Sequence, residues 1–121
     1  KITPSEAAFS FEFRKAVPER AATLFVSKDS APMAALSDKM PYSVINGFFV
    51  SLVGKSFDPQ YQKEAEKEKF MEKLLATKCV SCIGEADVKY VAVPRGFFPQ
   101  PLEYDVAFET GDYIVYNKTP A

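Results

Sequence analysis

A charged segment at residues 59–77 constrains the fold most, because its composition suits a helix and little else. The Asp58 carboxylate is placed to accept the free N–H groups of a first turn, and Pro59 suits the first helical position. Strong helix formers follow, with opposite charges three residues apart. The pattern predicts a helix whose first half projects into water and whose second half packs on the core through Phe70, Met71, Leu74 and Leu75.

Most of the remaining chain has the patterns of β-strands. Phe9, Phe11 and Phe13 alternate with polar residues, which predicts a half-buried strand. The pair Asn46-Gly47 predicts either a hairpin or a bulge. Two short stretches are ambiguous, because residues 3–6 have the spacing of a capping box and residues 31–36 suit a short helix. Further predicted strands cover residues 23–27, 42–53, 80–83, 88–93, 104–109 and 113–116.

These elements predict a single α+β domain over residues 1–121. We expect an antiparallel sheet curled toward a small barrel, with one main helix at about residues 59–77. Its likeness to an OB fold is an analogy of architecture alone and implies no function. No apolar run approaches the roughly 20 residues of a membrane span, so we expect a soluble domain. The chain begins at Lys1, which leaves a removed signal peptide and a trimmed boundary both open, and localisation with them.

Composition excludes several classes of chemistry. The 121 residues contain no His, which removes Ser-His-Asp triads, Cys-His pairs and histidine-ligated zinc. A histidine-independent enzyme using carboxylates, Lys, Tyr or Cys is the least favoured class, and we expect no cofactor. There is also no Trp, so most of the 11 Phe residues are expected to form the core.

Cys79 and Cys82 form a CxxC motif directly after the predicted helix. Redox sites with this spacing usually open a helix, whereas here the motif follows one and lies at its negative end. Neither a second CxxC nor any His completes a zinc site, so no metal is expected. We favour two ordinary thiols, one of them facing the core, although the sequence leaves their oxidation state open.

Carboxylates cluster near the end of the chain, where the last 43 residues hold three basic and six acidic groups. Glu103, Asp105 and Glu109 are predicted to share one strand face, with Asp112 in the following turn. Such a cluster suits a hard cation or acid-base work. We favour a solvated face whose charges discourage edge-to-edge aggregation.

Residues 94–101, here called the proline loop, are the best candidate for a binding site. Three prolines and a glycine make this connection stiff, and a stiff loop loses little entropy on binding. Arg95, Phe97 and Phe98 have the composition of interface anchors. Since adjacent residues of an extended segment point opposite ways, only one Phe easily enters the core. We therefore favour a non-enzymatic module that binds a protein partner through Arg95, Phe97 and Phe98.

Binding of single-stranded nucleic acid is the alternative function. Aromatic residues across the predicted sheet would stack on bases, and basic residues would contact phosphates. The net charge of -1 disfavours this alternative. Its candidate residues are Phe11, Phe13, Arg14, Lys15 and Arg20. The identity of a partner and the oligomeric state are beyond the sequence.

Overall fold

The computed structural model describes residues 2–42 and 59–118, with side chains for residues 2–42 and 65–118. Two helices, α1 and α2, alternate with two strands in the first part, and a long helix opens the second. In chain order the elements are α1 (Pro4–Ala16), β1 (Ala22–Phe25), α2 (Ser30–Ser37), β2 (Met40–Pro41), α3 (Pro59–Thr77), a 3-10 helix (Val80–Glu85), β3 (Tyr90–Pro94), β4 (Asp105–Glu109) and β5 (Tyr113–Asn117).

Within the described residues, five strands form one sheet in the order β2-β1-β3-β5-β4. β1 pairs in parallel with both β2 and β3, and α2 makes the connection from β1 to β2. β5 pairs antiparallel with β3 and with β4. The α+β class is confirmed. The expected antiparallel sheet is wrong for β1 and β2, and the sheet formed by the described strands does not close into a barrel.

One face of the sheet is covered by α1 and α2. Phe9 and Phe13 of α1 stack with ring centroids 5.6 Å apart, and Phe13 meets Phe25 of β1 edge-on. We call this cluster the aromatic core, and its buried members are Phe9, Phe13, Ala21, Phe25, Met33, Ala34, Tyr90, Ala92, Tyr113 and Val115.

The opposite face is covered by α3, the 3-10 helix and the proline loop. Successive strand residues point to opposite faces, so Leu24 and Val91 reach this side while Phe25 and Ala92 reach the other. The predicted packing of the second half of α3 is confirmed, since Met71 and Leu74 are buried. We call this cluster the aliphatic core, and it contains Leu24, Val26, Met71, Leu74, Ile83, Ala86, Val88, Val91, Val93, Phe98, Leu102 and Tyr116.

The predicted strand through Phe9, Phe11 and Phe13 is wrong, because these residues belong to α1. Thr3 caps the helix: its Oγ1 accepts from the Glu6 N–H at 3.1 Å, and the Glu6 carboxylate accepts from the Thr3 N–H at 2.9 Å. This capping box fixes the helix start. Phe9 and Phe13, four residues apart, then face the sheet, while Phe11 is 49% exposed.

Other sequence-based elements have mixed outcomes. The helix at residues 59–77, the short helix near 31–36, the strands near 23–27 and 88–93, and the hairpin of β4 and β5 are confirmed. Residues 80–83 form a 3-10 helix and not a strand. The Asp58 cap, the hairpin or bulge at Asn46-Gly47 and the rest of the predicted strand beyond Tyr42 lie outside the described residues. None of the described helices is long and apolar enough to cross a membrane.

Candidate functional site

The proline loop begins with a tight turn at the end of β3. The Phe97 N–H donates to the Pro94 carbonyl at 3.1 Å, which closes a four-residue turn. Gly96 has φ +79°, the positive value that the third position of a type II turn requires. A residue with a Cβ is strained there, so glycine sets the direction in which the chain leaves the sheet.

Arg95 ties this turn to the loop between β4 and β5. Its backbone N–H donates to the Asp112 carbonyl at 2.9 Å, and its Nε donates to the Thr110 carbonyl at 2.9 Å. Its Nη2 lies 3.1 Å from Glu109 Oε2. Arg95 is thus occupied by three contacts within the protein, and it positions the loop.

The two phenylalanines of the loop occupy different environments. Phe98 is 7% exposed and belongs to the aliphatic core, whereas Phe97 is half-buried and packs against it. Their rings meet edge-on with centroids 4.9 Å apart. Lys78 Nζ lies 5.3 Å from the centroid of the Phe97 ring, a cation–π distance. Phe98 therefore anchors the loop from below, and Phe97 contributes its outer part to the surface.

Grooves lie on both sides of the exposed residues Pro99, Gln100 and Pro101. The first has a volume of about 210 Å³ and runs toward Val93, Ile114 and Tyr116 of the sheet. The second, here called the Val80 groove, has a volume of about 410 Å³. It runs from the proline loop toward the 3-10 helix and is lined by Val80, Ser81, Gly84, Pro99, Gln100, Pro101, Leu102, Glu103 and Tyr104.

The Val80 groove combines apolar walls with an acidic rim. Val80 is 44% exposed, so it presents an apolar side chain at the surface of the groove. Gly84 leaves room in the wall, because a Cβ built there would have only Tyr104 Oη within 4.0 Å. Glu103 lines the groove and Glu85 is exposed at the end of the 3-10 helix.

The two cysteines are joined as a Cys79–Cys82 disulfide. The favoured interpretation as two ordinary thiols is therefore wrong, and the oxidation state that the sequence left open is the disulfide. The expectation that one cysteine faces the core is confirmed for Cys82, which is 7% exposed. The motif does not enter a strand. Cys79 precedes the first residue of the 3-10 helix, and the bond closes its first turn.

The candidate residues of the nucleic-acid alternative do not lie on a sheet. Phe13 is fully buried under α1, and Arg14 and Lys15 are exposed in the last turn of that helix. Arg20 follows α1 and forms an ion pair with Asp38 at 3.8 Å. This arrangement removes the sheet platform expected for Phe11 and Phe13, and nucleic-acid binding itself stays an untested prediction.

The predicted one-sided carboxylate cluster on β4 is wrong, because a bulge interrupts the strand between Val106 and Phe108. Val106 pairs with Tyr116, on the side of the aliphatic core, and Phe108 pairs with Val115, on the side of the aromatic core. Asp105 and Glu109 consequently belong to opposite faces. In the described part of the chain, no group of three or more Cys, Asp or Glu side chains is arranged to hold a metal ion.

Sequence reasoning missed the far wall of the Val80 groove. The apolar pattern of residues 80–83 predicts a strand, which gives Val80 and Gly84 no relation to the proline loop. The CxxC spacing was the available signal, because a disulfide across two residues requires a tight turn and excludes an extended strand. Tyr104 gave no such signal.

Comparisons of this chain with protein-family models, with curated proteins and with solved structures found no match.

Proposed function

We propose that this protein is a binding module that recognises an extended segment of a protein partner, without catalysis at this surface, through the proline loop and the Val80 groove. The exposed Val80 side chain in a groove between two fixed elements is the observation that carries the proposal. An inhibitor, an effector and an assembly domain are all consistent with such a surface.

Rigidity of the surface supports the proposal. Arg95 holds one end of the proline loop to the β4–β5 turn, and Phe98 and Leu102 anchor it in the aliphatic core. Two prolines, Pro99 and Pro101, restrict the backbone between these anchors. Little conformational entropy is then lost when a partner binds, and more of the contact energy appears as affinity.

The charge of the surface indicates the chemistry of the partner. Glu103 lines the Val80 groove, and Glu85 is exposed at the end of the 3-10 helix, next to the groove residue Gly84. An apolar segment flanked by Lys or Arg would place its side chains on Val80 and Tyr104 and its charges on the acidic rim. Phe98 supports this surface from inside and Arg95 ties it to the β4–β5 turn, whereas Phe97 offers a half-buried ring.

Selection from a displayed library of extended peptides, followed by titration of the enriched peptides, tests the proposal. We expect enrichment of apolar residues flanked by Lys or Arg, and binding that weakens as salt screens the charges. Val80→Glu is expected to weaken binding at least about tenfold, which corresponds to ~1.4 kcal/mol.

Phe11→Glu is the matched control, because Phe11 has a similar exposed fraction but lies on α1, on the opposite face of the sheet. It should leave peptide affinity unchanged. Equal loss in both variants, or a library that yields no binding peptide, would contradict the proposal. Titration with single-stranded oligonucleotides at low salt separates the nucleic-acid alternative, which requires salt-sensitive binding that Arg14→Ala and Lys15→Ala weaken.

A further inference from the structure

We propose that Cys79 and Cys82 form a redox site that exchanges electrons with peptide and protein disulfides. The reaction class is thiol–disulfide exchange, with the reduced pair as reductant and an external dithiol as the compound that restores it. This chemistry uses thiolates as nucleophiles and needs no imidazole, so a chain without histidine is able to perform it.

The two sulfurs differ in accessibility in the way that exchange requires. Cys79 is partly exposed, and its Sγ lies 3.5 Å from Ser81 Oγ in a contact at the surface. Cys82 is 7% exposed and sits beside Ile83, which is fully buried. Cys79 is thus the sulfur that a substrate reaches, and Cys82 is the sulfur that resolves the mixed disulfide.

The surrounding backbone is held without the disulfide. The Lys78 N–H donates to the Leu74 carbonyl at 2.8 Å, and the Cys82 N–H donates to the Cys79 carbonyl at 3.2 Å. The bond closes a ring across only two intervening residues, so it restricts the unfolded chain far less than a long-range disulfide does. Reduction therefore leaves both thiols in place, and the bond has little value as a structural staple.

The exchange balances in two steps. The Cys79 thiolate attacks one sulfur of the substrate disulfide; that S–S bond breaks, and the departing thiolate takes a proton from water. The Cys82 thiol then loses its proton and attacks Cys79 Sγ, which re-forms the Cys79–Cys82 bond and releases the second substrate thiol. Two electrons pass from the cysteine pair to the substrate, and an external dithiol returns them by the reverse steps.

The electrostatic setting determines the preferred direction. α3 ends at Thr77, two residues before Cys79, so the negative end of the helix dipole precedes this cysteine in the chain, and Cys82 is 7% exposed beside the fully buried Ile83. Both features disfavour thiolates and so favour the disulfide over the dithiol. The reduced pair is consequently a good electron donor. Val80 and Ser81 also line the Val80 groove, but the exchange does not depend on peptide binding there.

Single-cysteine variants and a small aromatic disulfide that releases a coloured thiolate test this site without any peptide. Cys82→Ser retains Cys79 and is expected to react at least about tenfold faster than Cys79→Ser, which retains the buried thiol. The reduced wild-type protein should release two equivalents of aromatic thiolate and return to the Cys79–Cys82 disulfide, as shown by thiol alkylation and mass spectrometry.

Circular dichroism and the Tm of the reduced protein provide the structural control. We expect a folded reduced protein with a Tm within a few degrees of that of the oxidised form. Equal rates for the two variants, stable aromatic adducts on both cysteines of the wild type, or unfolding on reduction would each overturn the proposal. Since the probe is not a peptide, its result is independent of whether the Val80 groove binds one.

Discussion

Arg95 Nη2 lies 3.1 Å from Glu109 Oε2, so the first turn of the proline loop is joined to the last residue of β4. The Nε of the same guanidinium donates to the Thr110 carbonyl. Arg95 is thus held at two points, by residues that follow it by 14 and 15 positions in the chain. The shape of the proposed binding surface therefore depends on a hairpin that contributes no groove wall around Val80.

Arg95→Ala tests this dependence. Both side chains of the ion pair are partly exposed, so we expect the free energy of unfolding to fall by under ~1 kcal/mol. Amide hydrogen exchange at Gly96 and Phe97 should nevertheless accelerate, because the turn loses its attachment. Arg95→Lys is the control: a lysine retains the charge but lacks the planar fork, so it should not restore slow exchange. Unchanged exchange in Arg95→Ala would contradict the clamp.

Phe98→Ala and Phe97→Ala should separate the two adjacent rings. Truncation of Phe98 removes a 7% exposed core side chain and is expected to cost about 3–5 kcal/mol. Phe97 is half-buried, so its truncation should cost less than half as much while weakening peptide binding. Urea denaturation of both variants measures the difference. Equal losses would mean that Phe97 is as much a core residue as Phe98.

Glu6 gives stability a specific pH dependence. Burial raises the pKa of this carboxyl, but hydrogen bonds from the Thr3 N–H and the Ser27 hydroxyl outweigh burial and hold the pKa below its ordinary value of 4.5. A lowered pKa in the folded state stabilises the protein above the unfolded pKa. We expect Glu6→Gln to cost about 1 kcal/mol at neutral pH. The difference from wild type should shrink as the pH falls below 4.5, and a constant difference would contradict this account.

The Tyr113 hydroxyl should lose its proton only at a higher pH than an ordinary tyrosine does. Burial raises its pKa from 10.0 to about 12, helped by the neighbouring negative charges of Glu6 and Asp112. The folded state therefore keeps a proton that the unfolded state loses, and stability should fall as the pH rises from 10 toward 12. The difference between the tyrosinate absorbance titrations of wild type and Tyr113→Phe isolates this group. A midpoint near 10 would show that the ring is accessible to solvent.

The sequence predicted elements well where local chemistry decides them. The α3 helix follows from its helix formers, and the β4–β5 hairpin follows from alternating apolar residues around Gly111. The segment that forms α1 was predicted as a strand because its apolar residues fit two periodicities at once. Phe9, Phe11 and Phe13 satisfy a period of two, while Phe9 and Phe13 alone satisfy the spacing of a helix, and the Thr3 capping box decides between them.

Long-range pairing was beyond the sequence. Nothing local to β1 indicates that it pairs in parallel with both β2 and β3. These pairings depend on the path of the chain through α2, which connects β1 to β2, and through α3, which lies between β2 and β3 in the chain. The candidate site likewise has one part that the sequence predicts and one part that it does not. The composition of residues 94–101 indicated a rigid loop, whereas the opposing wall at Val80 required the three-dimensional path of the chain.

The bulge between Val106 and Phe108 gives β4 one residue more than its pairing with β5 requires. One extra residue, Ala107, lets this strand send Val106 to one face and the Phe108 ring to the other, where it stacks on Phe9 and Phe13. A substitution at Ala107 changes one exposed side chain. A one-residue deletion there would remove the bulge and make Val106 and Phe108 neighbours, which strict alternation still sends to opposite faces. Phe108 would keep its place in the aromatic core, so Ala107 is a position of β4 where both substitution and deletion are tolerated.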